Sequence, residues 1–327
     1  MTTLTLARYS SRGLPLTAAW SRHIGPVRYY RPTELRPPET VDHVGTTKFL
    51  NPPQYRHANW SDNDCELVQV THRVPHDFTD RFANFCIQTV RTAFDFVTGY
   101  KKSDDMSETF KGTRYYMTSS KWLVRVIFLE SIAGVPGETA SYLRHLRSLR
   151  YLRRDMGWID SLSDEAFNER MHLLTFYHIG NPSKLVRFMV IASQGIFTNI
   201  FFLCYLLWPK LAHRVVGYLE EEAVYTYTHL LYQLKAGQLP DLEKAPVPEI
   251  AWKYWTTLNK HSTFEELILQ IRADESKHRE INHTLANLNQ EVDRNPFALQ
   301  VDTDKPQPND GLKVVRPTGW ERKELDL

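Results

Sequence analysis

The sequence is poor in cysteine, shows no overall charge bias, and contains one long stretch with no charge at all. Its 327 residues hold three cysteines, Cys65, Cys86 and Cys204, widely spaced and odd in number. They form no Cys-x-x-Cys pair, which excludes a disulfide framework and a zinc finger. With 40 basic and 38 acidic residues the net charge is +2, so bulk charge gives no argument for a nucleic-acid partner. Residues 1–33 lack Asp and Glu but carry Arg8, Arg12, Arg22, Arg28 and Arg31 among Ser, Thr, Leu and Ala. That is the make-up of a mitochondrial transit peptide, with a disordered basic tail as the alternative. No apolar core follows the first arginine, so a secretory signal does not fit. The Asn-x-Ser/Thr sequences at Asn59 and Asn282 therefore read as chance matches.

Phe188 to Trp208 contains no Asp, Glu, Lys or Arg, and about 20 apolar residues suffice to cross a bilayer. Three readings compete: a spanning helix, a buried core helix, and a helix lying in one leaflet. Ser193, Gln194, Thr198 and Asn199 at mid-length are costly in hydrocarbon unless something faces them.

A content of 42% hydrophobic and 12% aromatic residues is enough for one sizeable core and argues against disorder through most of the chain. Residues 34–73 hold Pro37, Pro38, Pro52 and Pro53 and read as an extended arm. The helical domain is expected over 74–294, and residues 295–327 as a flexible tail. Apolar periodicity predicts helices over 81–100, 119–132, 142–154, 159–179, 211–234, 249–258 and 263–288. Gly134, Pro136 and Gly137 are expected to end the second of these. Arg91 and Asp95, four apart, could form an ordinary helix-surface pair.

Four of these helices carry acids on their apolar faces. Glu130 shares a face with Leu123, Val126 and Ile127. Glu169 and His172 lie with Leu162, Ala166, Leu173 and Phe176. Glu220 lies with Val216, Gly217, Val224 and Tyr227, and Glu275 and His278 lie with Phe264, Ile268 and Ile271. A carboxylate in an apolar stripe is costly unless paired or metal-bound. One Glu from each of two helices plus one Glu-x-x-His from each of two others is the ligand set of a four-helix-bundle dinuclear carboxylate centre. A third pair, Glu280 with His283, sits on a weaker apolar stripe and reads as a solvated face. Carboxylate and imidazole donors suit iron best, manganese second, and leave zinc disfavoured for redox work. The expected fold is all-α, a ferritin-like four-helix bundle with a di-iron centre.

The stretches FLESIAGVPG, RHLRSLRYLRRDMGWI, NERMHLLTF, GYLEEEAVYTYT and RADESKHREINH, in this order, closely resemble the mitochondrial alternative oxidase family over about residues 85–290. FVTGY after Asp95 looks like the fungal members. The resemblance implies two iron ions and oxidation of ubiquinol with reduction of dioxygen to water, without proton pumping. It implies additional membrane-surface helices and a monotopic homodimer in contact with lipid on the matrix face of the mitochondrial inner membrane. That would put the apolar segment in one leaflet, beside the 81–100 helix, and would give the RHLRSLRYL stretch a part in the dimer contact. It also implies a redox-active Tyr227, and a quinol pocket at Arg125, Leu129, Leu219, Ala223 and Thr226. An arginine at the membrane interface binding lipid phosphate is the other reading of Arg125. Asn168, Asp274, Tyr254 and Trp255 match positions that support the centre or carry electrons. Cys65 does not match the regulatory cysteine of plant members, so no thiol control is expected. A quinone hydroxylase with the same ligand pattern and a ferritin-like storage protein are the alternatives.

Overall fold

The computed structural model describes residues 57–309, 311–312 and 316–327, all helix, turn and irregular structure with no strand among them. The transit peptide expected at 1–33 and the arm up to residue 56 lie outside the described residues. The elements are α1 (Asp62–Glu66), α2 (Phe78–Thr98), α3 (Ser119–Tyr151), α4 (Trp158–Gly180), α5 (Lys184–Leu207), α6 (Pro209–Lys235), α7 (Pro240–Glu243), α8 (Glu249–Tyr254) and α9 (Phe264–Asn287).

Local chemistry sets the ends. The Asp77 carboxylate accepts from the Asp80 amide to start α2, and Gly99, at φ 64°, closes it in the left-handed conformation. Thr263 and Glu266 form a reciprocal capping box that starts α9.

Gly134–Gly137 does not end a helix. α3 runs unbroken through Pro136, joining the two helices expected over 119–132 and 142–154. A mid-helix proline costs about 3 kcal/mol, and close packing offsets it here. A Cβ at Gly137 would stand 2.6 Å from the Leu162 carbonyl, and one at Gly134 would stand 3.5 Å from Glu169 Cβ. The small residues thus let α3 press onto antiparallel α4. The second pair is α6 with α9. A Cβ at Gly217 would fall 2.4 Å from His283 Nδ1, and Arg214 meets Asn287 one turn back. These four helices form the bundle, with their acid-bearing faces inward.

α5 lies along α3, tied by Gln194 Nε2 donating to the Ser131 carbonyl at 2.9 Å. Only Phe201 and Tyr205 of α5 are buried, which overturns the core-helix reading. Two of the other mid-length polar groups are satisfied within the helix: Thr198 donates to the Gln194 carbonyl and Asn199 to the Gly195 carbonyl. Phe188, Ile191, Ile196, Ile200 and Leu207 of α5 are exposed, as are Phe78, Phe85, Phe96 and Val97 of α2. Phe78 stacks on Trp208, joining the start of α2 to the end of α5.

The flexible tail expected beyond Asn295 is instead packed where it is described. Phe297, Leu312, Trp320 and Leu325 are buried, and Trp320 Nε1 donates to Glu280 Oε1 at 3.0 Å. That contact also corrects the reading of Glu280 and His283 as a solvated face, since both are fully buried. Lys277 pairs with Glu280 at 2.8 Å, and His283 Nε2 meets Glu221 at 2.8 Å. This face is covered by the tail and α6, not by water.

Candidate metal centre

Glu130 of α3, Glu169 and His172 of α4, Glu220 of α6, and Glu275 and His278 of α9 converge at the middle of the bundle, all buried. They form two overlapping foursomes: Glu130, Glu169, His172, Glu275 and Glu169, Glu220, Glu275, His278. Within each, one ligand atom per residue lies within 4.8 Å of the others. Glu169 and Glu275 belong to both. His172 Nδ1 stands 3.3 Å from Glu130, 3.5 Å from Glu169 and 3.2 Å from Glu275. His278 Nδ1 stands 2.7 Å from Glu169.

Seven atoms in this cluster have no hydrogen-bond partner: Glu130 Oε2, both Glu169 oxygens, His172 Nδ1, Glu220 Oε2, Glu275 Oε2 and His278 Nδ1. Buried polar atoms are normally satisfied, and seven orphans at one point need an explanation. Four carboxylates and two imidazoles aimed inward fit a pair of divalent cations in donor type, number and charge. The electrostatics point the same way. Burial, then the charges of Glu275 and Glu169, push the Glu130 and Glu220 carboxyls well up. Burial alone would depress the two imidazoles, but the facing carboxylates hold His172 and His278 well above the usual histidine range. The site draws in positive charge, as protons or as metal.

Asp274 orients the cluster from behind. Its Oδ2 faces His172 Nε2 at 3.1 Å and accepts from Asn168 Nδ2 at 3.1 Å and Trp255 Nε1 at 2.9 Å. With Nε2–H donating to this carboxylate, Nδ1 is the nitrogen that His172 turns to the centre, available to a metal that displaces its proton. Tyr254 joins by accepting from Asn168 at 3.0 Å. Trp255 reaches Asp274 because the chain leaves α8 there in an extended conformation, so the helix expected over 249–258 stops at Tyr254. Asn168, Asp274, Tyr254 and Trp255 therefore form one network.

Tyr227 donates its hydroxyl to Glu130 Oε1 and stacks on Phe176. Burial and the Glu130 and Glu275 charges push its phenol well up, so it stays protonated. On the outer side of α3 and α6, Arg125 and Thr226 are buried, while Leu129, Leu219 and Ala223 are half-buried. Arg125 is 0% exposed, which removes the reading as an arginine at the membrane interface. It donates to Asp95 Oδ1 at 2.5 Å and Thr98 Oγ1 at 2.9 Å, with Nε left unpartnered. Arg91 binds the same Asp95 at 2.7 Å and Glu222 at 2.7 Å. The Arg91–Asp95 pair is thus a buried tie between α2, α3 and α6 rather than a surface pair. Sequence reasoning missed Glu222, whose polar partners Gln88, Arg91 and Lys102 lie more than 100 residues away in the chain.

The sequence pattern of the family described as Alternative oxidase matches residues 60–287, more than half of the chain. The chain belongs to the alternative oxidase family. It is similar to the mitochondrial alternative oxidase of Scheffersomyces stipitis, at 57% identity over 86% of this chain and 80% of that one. Alternative oxidase 2, mitochondrial, of Candida albicans is 54% identical over 90% of this chain and 82% of its own. The Aspergillus niger mitochondrial alternative oxidase is 46% identical over 89% and 82%. Membership makes the chain an oxidoreductase, a ubiquinol oxidase. The hydroxylase and storage readings are not favoured.

Proposed function

We propose that Glu130, Glu169, His172, Glu220, Glu275 and His278 hold two iron ions, with Glu169 and Glu275 shared between them. The observation that carries this is the pair of overlapping buried foursomes with seven orphaned atoms. Iron is preferred to zinc because the reaction moves electrons. Once bound, the iron pair would supply the electron transfer to dioxygen and the cleavage of its O–O bond.

The chain's own residues have separate roles in this reading. Two ubiquinols give up four electrons and four protons, which turn one dioxygen into two waters without pumping. Arg125 faces the quinol oxygen with its free Nε–H, and Leu129, Leu219, Ala223 and Thr226 line the headgroup. Tyr227 holds a proton on Oη beside Glu130 and is placed to give up that proton with an electron. Asp274, kept in place by Asn168 and Trp255, with Tyr254 behind Asn168, fixes the His172 tautomer. Burial of the cluster excludes bulk water.

The exposed apolar faces of α2 and α5 support docking into one leaflet, on the matrix face of the mitochondrial inner membrane, as a monotopic protein. The tie of α5 along α3 favours this over a lone span. The exposed Leu149, Tyr151 and Leu152 at the end of α3 support a homodimer contact there. Residues 1–33 serve as the transit peptide, and 74–294 form the oxidase domain.

The test is oxygen uptake by iron-loaded protein in membranes, with ubiquinol supplied and cyanide present. Cyanide-resistant uptake that vanishes in Glu220→Ala is expected. No uptake from demonstrably iron-loaded protein refutes the reading, and appearance of an oxygenated quinone would turn it to the hydroxylase.

A further inference from the structure

Five donors converge on the Asp274 carboxylate, and two of them come from the segment that enters the fold before α1. His57 Nε2 stands 2.6 Å from Oδ1 and Trp60 Nε1 donates to it at 2.5 Å. Asn168, His172 and Trp255 take Oδ2. An ionised carboxylate only accepts, so each ring nitrogen facing it carries a proton.

His57 is held for this task. Its side chain is 3% exposed, with its ring against Trp60, Tyr254 and Trp255 at centroid distances of 5.4, 5.2 and 5.8 Å. Its other nitrogen, Nδ1, accepts from the Asn59 amide at 3.0 Å. That bond is possible only with Nδ1 unprotonated, so the geometry selects the neutral Nε2–H tautomer. Asn59 itself sits at φ 60°, a conformation asparagine tolerates better than most residues. Asn59 Oδ1 in turn accepts from the Thr256 amide and hydroxyl at 3.2 and 2.7 Å. The Trp60 carbonyl accepts from Gln270 at 3.1 Å.

A cavity of about 330 Å³ adjoins this point, lined among others by His57, Asn168, Tyr254, Asp274 and His278. His57 and Asp274 therefore border this space side by side.

We propose that His57 is a positioning residue of the oxidase centre, a neutral donor that completes the cage on Asp274 and through it fixes His172. The residue precedes position 60, where the family match begins. The proposal rests on reading His172 as a metal ligand.

The test uses full-length iron-loaded protein with His57→Phe and His57→Gln. Phenylalanine keeps a packed ring without the donor, and glutamine restores an N–H at similar reach. The expected result for His57→Phe is about 10-fold faster iron loss to a chelator and about 10-fold lower kcat, with KM for ubiquinol unchanged. His57→Gln should recover most of both. His57→Met, matched to glutamine in length but lacking a donor, carries the same comparison if the phenylalanine variant does not fold. Iron loss and kcat equal to the parent in the donor-less variants overturn the proposal, as does a glutamine variant no better than phenylalanine. A parent that holds no iron overturns the metal reading itself and this proposal with it.

Discussion

Removing the iron should destabilise the bundle by an amount that can be worked from the orphaned atoms. Seven buried atoms on six side chains lose their partners, at about 1–3 kcal/mol each. The sum, roughly 7–20 kcal/mol, rivals the whole stability of a typical domain, about 5–15 kcal/mol. Protons must therefore replace metal, and the raised positions of Glu130, Glu220, His172 and His278 show where they go. What remains is the binding linkage, about 4 kcal/mol for metal present at 1,000 times its dissociation constant. At about 2–4 °C per kcal/mol for a chain this large, Tm should fall by about 8–16 °C. The assay is scanning calorimetry in detergent before and after anaerobic chelation, with iron measured in the same samples. Re-addition should restore Tm and release protons, and iron should be lost more readily as pH falls. Complete iron loss with Tm within about 2 °C of the starting value would refute the argument.

Tyr227→Phe should lower kcat while leaving iron content unchanged, since only the hydroxyl on Glu130 is removed; stopped turnover together with lost iron would point to a structural role instead. His283 sets an acid limit: burial, aided by the Arg214 charge, lowers it from 6.5 to about 4. Between those values the unfolded chain holds a proton that the folded one does not. Stability should thus fall as pH drops from about 6.5 to about 4, by about 3 kcal/mol. Denaturant melts across this range should show a shallower slope for His283→Gln than for the parent. Gly217→Ala should cost about 1–3 kcal/mol, because the new Cβ meets the His283 ring; an unchanged melting midpoint would mean that α6 and α9 separate freely.

The fold class and the six clustered residues were legible because both are written in helical period. A Glu-x-x-His spacing within an apolar stripe needs no knowledge of the rest of the chain. Pro136 misled because the glycines beside it make a helix contact that local propensity does not register. Glu280 looked solvated because its cover, Trp320, lies far along the chain in a segment without period. His57 and Trp60 were illegible for the same reason, since their partner Asp274 is more than 200 residues away. Irregular segments bind through single atoms, and single atoms leave no pattern to read.

Glu169 and Glu275 each belong to both foursomes, whereas Glu130 and Glu220 each belong to one. The four glutamates look alike in sequence, yet their loss has unequal reach. Substituting a shared one dismantles both positions together, while substituting an unshared one leaves the neighbouring foursome whole. Under the proposed assignment the centre would act as a single receptor with two outer arms, and a variant that retains half its metal would be expected from damage to an arm but not to the part they share.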